Sequence, residues 1–181
     1  MKKLLLFIGI LFSLGLFCAC NNSDELTPDS FNDTDEFTGI ISPIEKCDGY
    51  IAITNFFNSE LLNHEEAELF PFFENQEESV CFIINKKEEI ESLYHGNVAL
   101  PEIDFNNYTL IIGLEKMPHL LYKIEKQELF FQNGNMQLNL YVSAPSNSFY
   151  PAMIMDLYYW SLYPKIQAKE IKVITIETEK L

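Results

Sequence analysis

Four cysteines, three histidines and 27 carboxylates supply most of the reactive chemistry in this 181-residue chain, and their spacing decides what they can do. Cys18 and Cys20 flank Ala19, directly after an apolar run and directly before an acidic one. As a metal or redox pair they would need a folded, electropositive or ligand-rich surround, and their flanks offer none. Cys47 and Cys81 leave one internal pairing, which would close a loop that constrains the unfolded chain by about 4 kcal/mol. The alternative is two separately buried thiols behaving as small hydrophobes. The disulfide is the expectation, because Cys47 opens the ordered region and would be tied to the strand that holds Cys81.

His64, His95 and His119 are spread singly, whereas a zinc centre commonly draws two ligands from neighbouring positions. In "HEEAE" Glu68 stands where a second histidine would complete the zinc-protease motif. The acidic run Asp29–Glu36 lacks the glycine and spacing of a calcium loop. No Gly-x-Ser-x-Gly elbow and no glycine-rich phosphate loop occurs, so no catalytic residue, metal or cofactor is assigned. Asp156 stands out as a carboxylate within an apolar strand, sharing a face with Ile154 and Tyr158, where it would need a partner or a raised pKa. The aromatics Tyr158, Tyr159 and Trp160, with Tyr141, Phe149 and Tyr150 around a Ser/Asn/Pro loop, suit either core packing or a protein or glycan contact surface.

Charge narrows the partners. The net charge is -15, with 12 lysines and no arginine. Without arginine's planar fork, and with a negative field, nucleic acid and phosphate partners are disfavoured.

The two lysines Lys2 and Lys3 precede an apolar stretch, Leu4–Phe17, that is shorter than the ~20 residues needed to span a bilayer core, which is the pattern of a secretory signal. Its end, Leu16-Phe17-Cys18-Ala19-Cys20, resembles the lipobox of bacterial lipoproteins, in which a small residue precedes the lipidated cysteine. Phe17 occupies the place usually held by leucine. The resemblance implies that residues 1–19 are removed, Cys20 carries the lipid and anchors the chain to a membrane, and Cys18 is discarded. Residues 20–46 then read as an acidic flexible tether, and 47–181 as one domain. The mature charge would be -17, from ten lysines against 27 carboxylates. The acidic start of the tether resembles the surface-export signal of some Gram-negative lipoproteins, so an outer-membrane protein on the cell surface is expected, with a periplasm-facing anchor as the alternative.

Several elements must position whatever the domain does. "YIAITNFF" (50–57) is β-branched and aromatic and reads as a strand; "NSELLNHEEAELFPF" reads as a helix with capping-box spacing at Asn63 and Glu66, stopped by Pro71. "SVCFIIN" (79–85) is a strand, and 86–95 a short amphipathic helix with Asn85 and Glu88 at capping-box spacing and Ile90, Leu93 and Tyr94 on one face. "YTLIIGLE" (108–115) is apolar on both faces, as an interior strand. Met136, Leu138, Leu140 and Val142 alternate with polar residues, and Asn133-Gly134 suits a tight hairpin turn. Residues 144–151 read as a loop, followed by strands in "AMIMDLYYWSLY" and "EIKVITIE". The expected fold is α+β: a mainly antiparallel, sandwich-like sheet protein with one or two short helices.

The order of a strand, the "NKKEEIESLY" helix, the "LPEIDFNNYTLIIG" strand, a hairpin, "YYWSLYPKI" and "KEIKVITIE" resembles the C-terminal domain of PrcB, a lipoprotein accessory subunit of a bacterial surface protease complex. The resemblance covers about residues 80–177. It implies a non-catalytic accessory module that docks a protein, with a protease as the partner class. In that family the strand after the helix runs into a Pro-Thr-Gly-Gly-Tyr loop, where this chain has Pro118-His119-Leu120-Leu121-Tyr122. Pro118 and Tyr122 match and both glycines are absent, removing the backbone freedom that lets such a loop approach a partner closely. The partner-contact candidates are Met117, Pro118, His119, Tyr122, Phe149, Tyr150, Tyr158 and Trp160. A glycan-binding protein of a surface uptake system, using the same aromatics, is the alternative function.

Overall fold

A computed structural model describes residues 39–62, 72–73, 76–118, 122–132, 135–145 and 154–178. Among the described residues, seven strands form two sheets, with two short helices: β1 Gly39–Ile41, α1 Tyr50–Phe57, β2 Val80–Ile84, α2 Lys87–Leu93, β3 Tyr108–Met117, β4 Lys123–Gln132, β5 Asn135–Ser143, β6 Met155–Pro164 and β7 Lys172–Glu177. One sheet has the order β1-β4-β5-β7 and the other β2-β3-β6. All pairings are antiparallel except β5 with β7. The architecture is the α+β sandwich that the alternation predicts.

Strand β3 explains the layering. Its even positions Leu110, Ile112 and Leu114 pack with the helix residues Ile53, Phe56, Phe57 and Ile90, while Ile111 and Met117 pack with Leu129, Leu138, Leu140 and Val142 of the larger sheet. A strand apolar on both faces therefore sits between two cores, and every residue from Thr109 to Leu114 is buried. On the alternating strand β5, Leu138, Leu140 and Val142 are fully buried between the sheets.

Gly113 is needed for the close approach across β3. It lies opposite Cys81 on β2 and Tyr159 on β6, and a Cβ there would fall 2.1 Å from the Tyr159 ring. The ring crosses the glycine, and its hydroxyl reaches Val80 O on the far strand at 3.4 Å.

Three readings of the sequence change. Residues 50–57 are helical, because Ile53, Phe56 and Phe57 recur at i, i+3, i+4 and all three are buried. Residue type pointed to a strand, but spacing prevailed. The chain enters the helix through Gly49, whose φ of 76° is left-handed. A π-helical turn, Asn58–Leu62, extends it and buries Leu61; the positions of Asn63, Glu66 and Pro71 lie outside the described residues, as do Asn133-Gly134 and 146–151.

Secondly, the predicted capping pair on α2 is shifted by one residue. It is Glu89, not Glu88, whose carboxylate accepts from Asn85 N at 2.6 Å and Lys86 N at 3.2 Å. Thirdly, part of the segment assigned to the tether belongs to the fold. Gly39–Ile41 pairs with Phe131–Leu129 of β4, and Ile44 N donates to Leu162 O of β6 at 2.6 Å. Acidic composition ends at Glu36, and the apolar "GII" that follows has a sheet edge to bury against.

Gly113→Ala is expected to lower stability by about 1–3 kcal/mol through overpacking against Tyr159. Urea denaturation checks this, and an unchanged midpoint would mean that the ring does not occupy that space.

Candidate functional site

The sandwich has two unlike ends. β3 finishes at Met117 and β4 begins at Lys123, while β5 finishes at Ser143, paired with Lys123, and β6 begins at Met155, paired with Met117. The connections 118–122 and 144–154, which hold most of the predicted contact residues, therefore leave from the same end. The chain joins the larger sheet elsewhere: Gly39 lies opposite Phe131, eight residues along β4 from Lys123, or roughly 27 Å at the rise of a strand.

At this loop end Pro118 is exposed and Ile154 is 75% exposed, whereas Met117 is buried between the sheets. The Tyr122 hydroxyl donates to Glu177 Oε1 at 2.6 Å, tying the connection to the end of β7. His119, Phe149 and Tyr150 lie outside the described residues. Asp156 has the partner its setting requires, since Lys116, directly opposite on β3, places Nζ 2.7 Å from Oδ1 with both side chains largely covered. The same ammonium donates to Gln76 O at 2.7 Å, and the Tyr158 hydroxyl donates to Asp156 Oδ2 at 3.2 Å. Burial, then the Asp156 charge, pushes the Tyr158 phenol well up.

Tyr158 and Trp160 are not presented with those loops. Both point to the helix side of the smaller sheet, where Phe57 stacks on Trp160 at 4.8 Å and Phe73 stacks on Tyr158 at 5.8 Å. Each ring is covered by a phenylalanine of the helical layer, so the core-packing reading holds for these two residues. Tyr159 points the other way and is buried between the sheets.

The predicted disulfide is not formed. Cys47 packs with the helix-side core, whereas Cys81 of β2 packs on the other face of the smaller sheet in the inter-sheet core, and both are free thiols. Burial raises both thiol pKa values; for Cys81 a hydrogen bond with Tyr159 partly opposes the rise. Neither has the depressed pKa of a nucleophilic cysteine. Beside Cys81 on the same face, Glu115 is half-buried, and burial raises its carboxyl pKa although Ser79 hydrogen-bonds to it.

Sequence reasoning did not find a groove at the opposite end. It measures about 510 Å³, with Phe105 and Ile103 beside Asn85, Asn106, Glu88 and Asp104. Lys165 holds its walls together by donating to Asn85 O at 3.0 Å and Phe105 O at 2.6 Å. Thr109, buried beneath, donates to Asn85 Oδ1 at 2.6 Å and accepts from Ile166 N at 3.0 Å. The sequence signal was the density of Asn and Asp before "YTLIIG", which reads equally well as an ordinary turn.

Among the described residues, no group of three or more His, Cys, Asp or Glu side chains is arranged to hold a metal ion, and no helix is long and apolar enough to cross a membrane. Comparisons with protein-family models, curated proteins and solved structures returned no match.

Two outcomes are expected. Alkylation in denaturant without reductant, followed by peptide mapping, should recover Cys47 and Cys81 as separately labelled thiols; a peptide pair joined through them would contradict the geometry. The raised Glu115 pKa means that the folded state binds this proton more tightly than the unfolded chain. Its contribution is complete at low pH and is lost as pH rises from the usual glutamate range through the folded pKa. Glu115→Gln should therefore gain stability relative to wild type as pH rises, and a pH-independent difference between the urea midpoints would refute the assignment.

Proposed function

We propose that the chain is an outer-membrane lipoprotein, anchored through Cys20 and displayed on the cell surface, that acts as a non-catalytic protein-binding module. A protease complex is the partner class implied by the resemblance to PrcB. The observation that supports this reading is topological. Two connections, 118–122 and 144–154, share the end of the sandwich away from the point where Gly39 joins the larger sheet, so a chain tethered from its N-terminal side presents them outward. Loops carried on a rigid sheet are common places for recognition. Pro118 and the strongly exposed Ile154 supply apolar contact there, while the paired Lys116 and Asp156 brace the strands beneath. Tyr158 and Trp160 support that end from the core instead of touching the partner.

A second reading, binding of a glycan, is supported by the groove at the other end. Phe105 beside amides and carboxylates in an open groove matches the mixed apolar and hydrogen-bonding faces of a sugar.

Cys20→Ser should abolish labelling by radioactive palmitate; retained label would refute the anchor. Chemical crosslinking on intact cells followed by mass spectrometry should recover one reproducible protein neighbour, reduced at least tenfold by Ile154→Asp. A neighbour unaffected by that change would move the binding surface elsewhere, and no neighbour at all would remove the accessory-module reading.

A further inference from the structure

We propose that Gly39–Ile44 is a displaceable strap over a strand-accepting edge, and that this edge takes an extended peptide segment in its place. The segment touches all three layers in a few residues. Ile41 packs into the inter-sheet core, Ile44 packs into the helix-side core, and between them the chain passes from β4 of one sheet to Leu162 O of the other. It closes the side of the sandwich where β4 and β6 run near each other, a side otherwise bridged by Gln127 Nε2 donating to Trp160 O at 3.1 Å.

The edge of β4 is divided in a way that explains where the strap lies. Toward the loop end it carries Lys123, Lys126 and a register shift between Ile124 and Lys126, features that discourage the addition of another strand. The other half is regular and apolar, Leu129-Phe130-Phe131, and β1 covers those three residues. A regular apolar edge is a ready template for an extended chain, and the present occupant is only three residues long. Short edge pairings open at low free-energy cost compared with core strands. Displacing the strap would uncover the β4 edge and free Leu162 O, so the acceptor offers backbone groups from both sheets.

The occupant it fits is an extended segment whose third residue is β-branched and apolar. The register requires this: Gly39 faces inward opposite Phe131, Ile40 points outward opposite Phe130, and Ile41 points inward opposite the fully buried Leu129. The third position has an apolar site to fill between the sheets. The site is independent of the loop-end surface, since it uses neither Pro118 nor Ile154.

The test uses the full chain and a fluorescein-labelled peptide of residues 37–46, FTGIISPIEK, followed by anisotropy. Wild type should bind weakly. Ile41→Ser, which loosens the resident strap, should bind at least tenfold more tightly, as should Ile44→Pro, which deletes the N–H bound to Leu162 O. Fluorescence of Trp160, the single tryptophan, shows which variants remain folded. The proposal is overturned if folded variants bind no more tightly than wild type, or if a scrambled peptide of the same composition binds equally well. Hydrogen exchange on the unaltered chain gives an independent outcome: the Ile44 amide should exchange well before those of Leu110–Leu114, and equal protection would also overturn the proposal.

Discussion

Burial of β3 on both faces is the constraint on which the rest of the structure depends. A strand with Leu110, Ile112 and Leu114 on one side and Ile111 and Met117 on the other must be covered twice. The helical layer supplies one cover and the larger sheet the other. The demands on β2 and β6 follow from this, because each must present apolar residues both ways. Phe82 and Ile84 face the helices while Cys81 faces the other sheet; Tyr158, Trp160 and Leu162 face the helices while Tyr159 and Tyr163 face the other sheet. A glycine at 113 relieves the crowding at the one point where three side chains would otherwise compete.

That layering accounts for what was legible in the sequence and what was not. Strand β3 could be read as an unbroken apolar run, which marks an interior strand, and the hairpin because its two arms alternate around Asn133-Gly134. Residues 50–57 were misread because isoleucine, threonine, tyrosine and phenylalanine are strand formers by type, while the buried trio at helical spacing is a matter of position. The β1 segment could not be read, since three residues are too few to show a period. The parallel pairing of β7 with β5 likewise follows from the path of the chain after Pro164 rather than from composition.

The candidate site was legible in part. Two loops could be singled out from their composition, but only the register of β3 with β6 and β4 with β5 places them at one end. The consecutive aromatics 158–160 suit either core packing or a contact surface because sequence cannot say which face of a strand another layer will cover. Phe57 and Phe73 cover both outward rings. Sequence position favours a bond from Cys47, at the start of the ordered region, to the strand that holds Cys81, but position does not say which face of that strand Cys81 occupies. They pack on opposite faces of the smaller sheet and are free.

The two ends of the sandwich thus differ in chemistry: exposed apolar Pro118 and Ile154 at one, and at the other an open polar groove lined in part by Phe105. The central claim is that the loop end meets the protein partner, and it is tested most directly by a photocrosslinking amino acid introduced singly at Ile154 and at Asn106, followed by irradiation of intact cells. The account predicts a discrete covalent protein adduct from position 154 and none from position 106. An adduct formed from position 106 alone would contradict it.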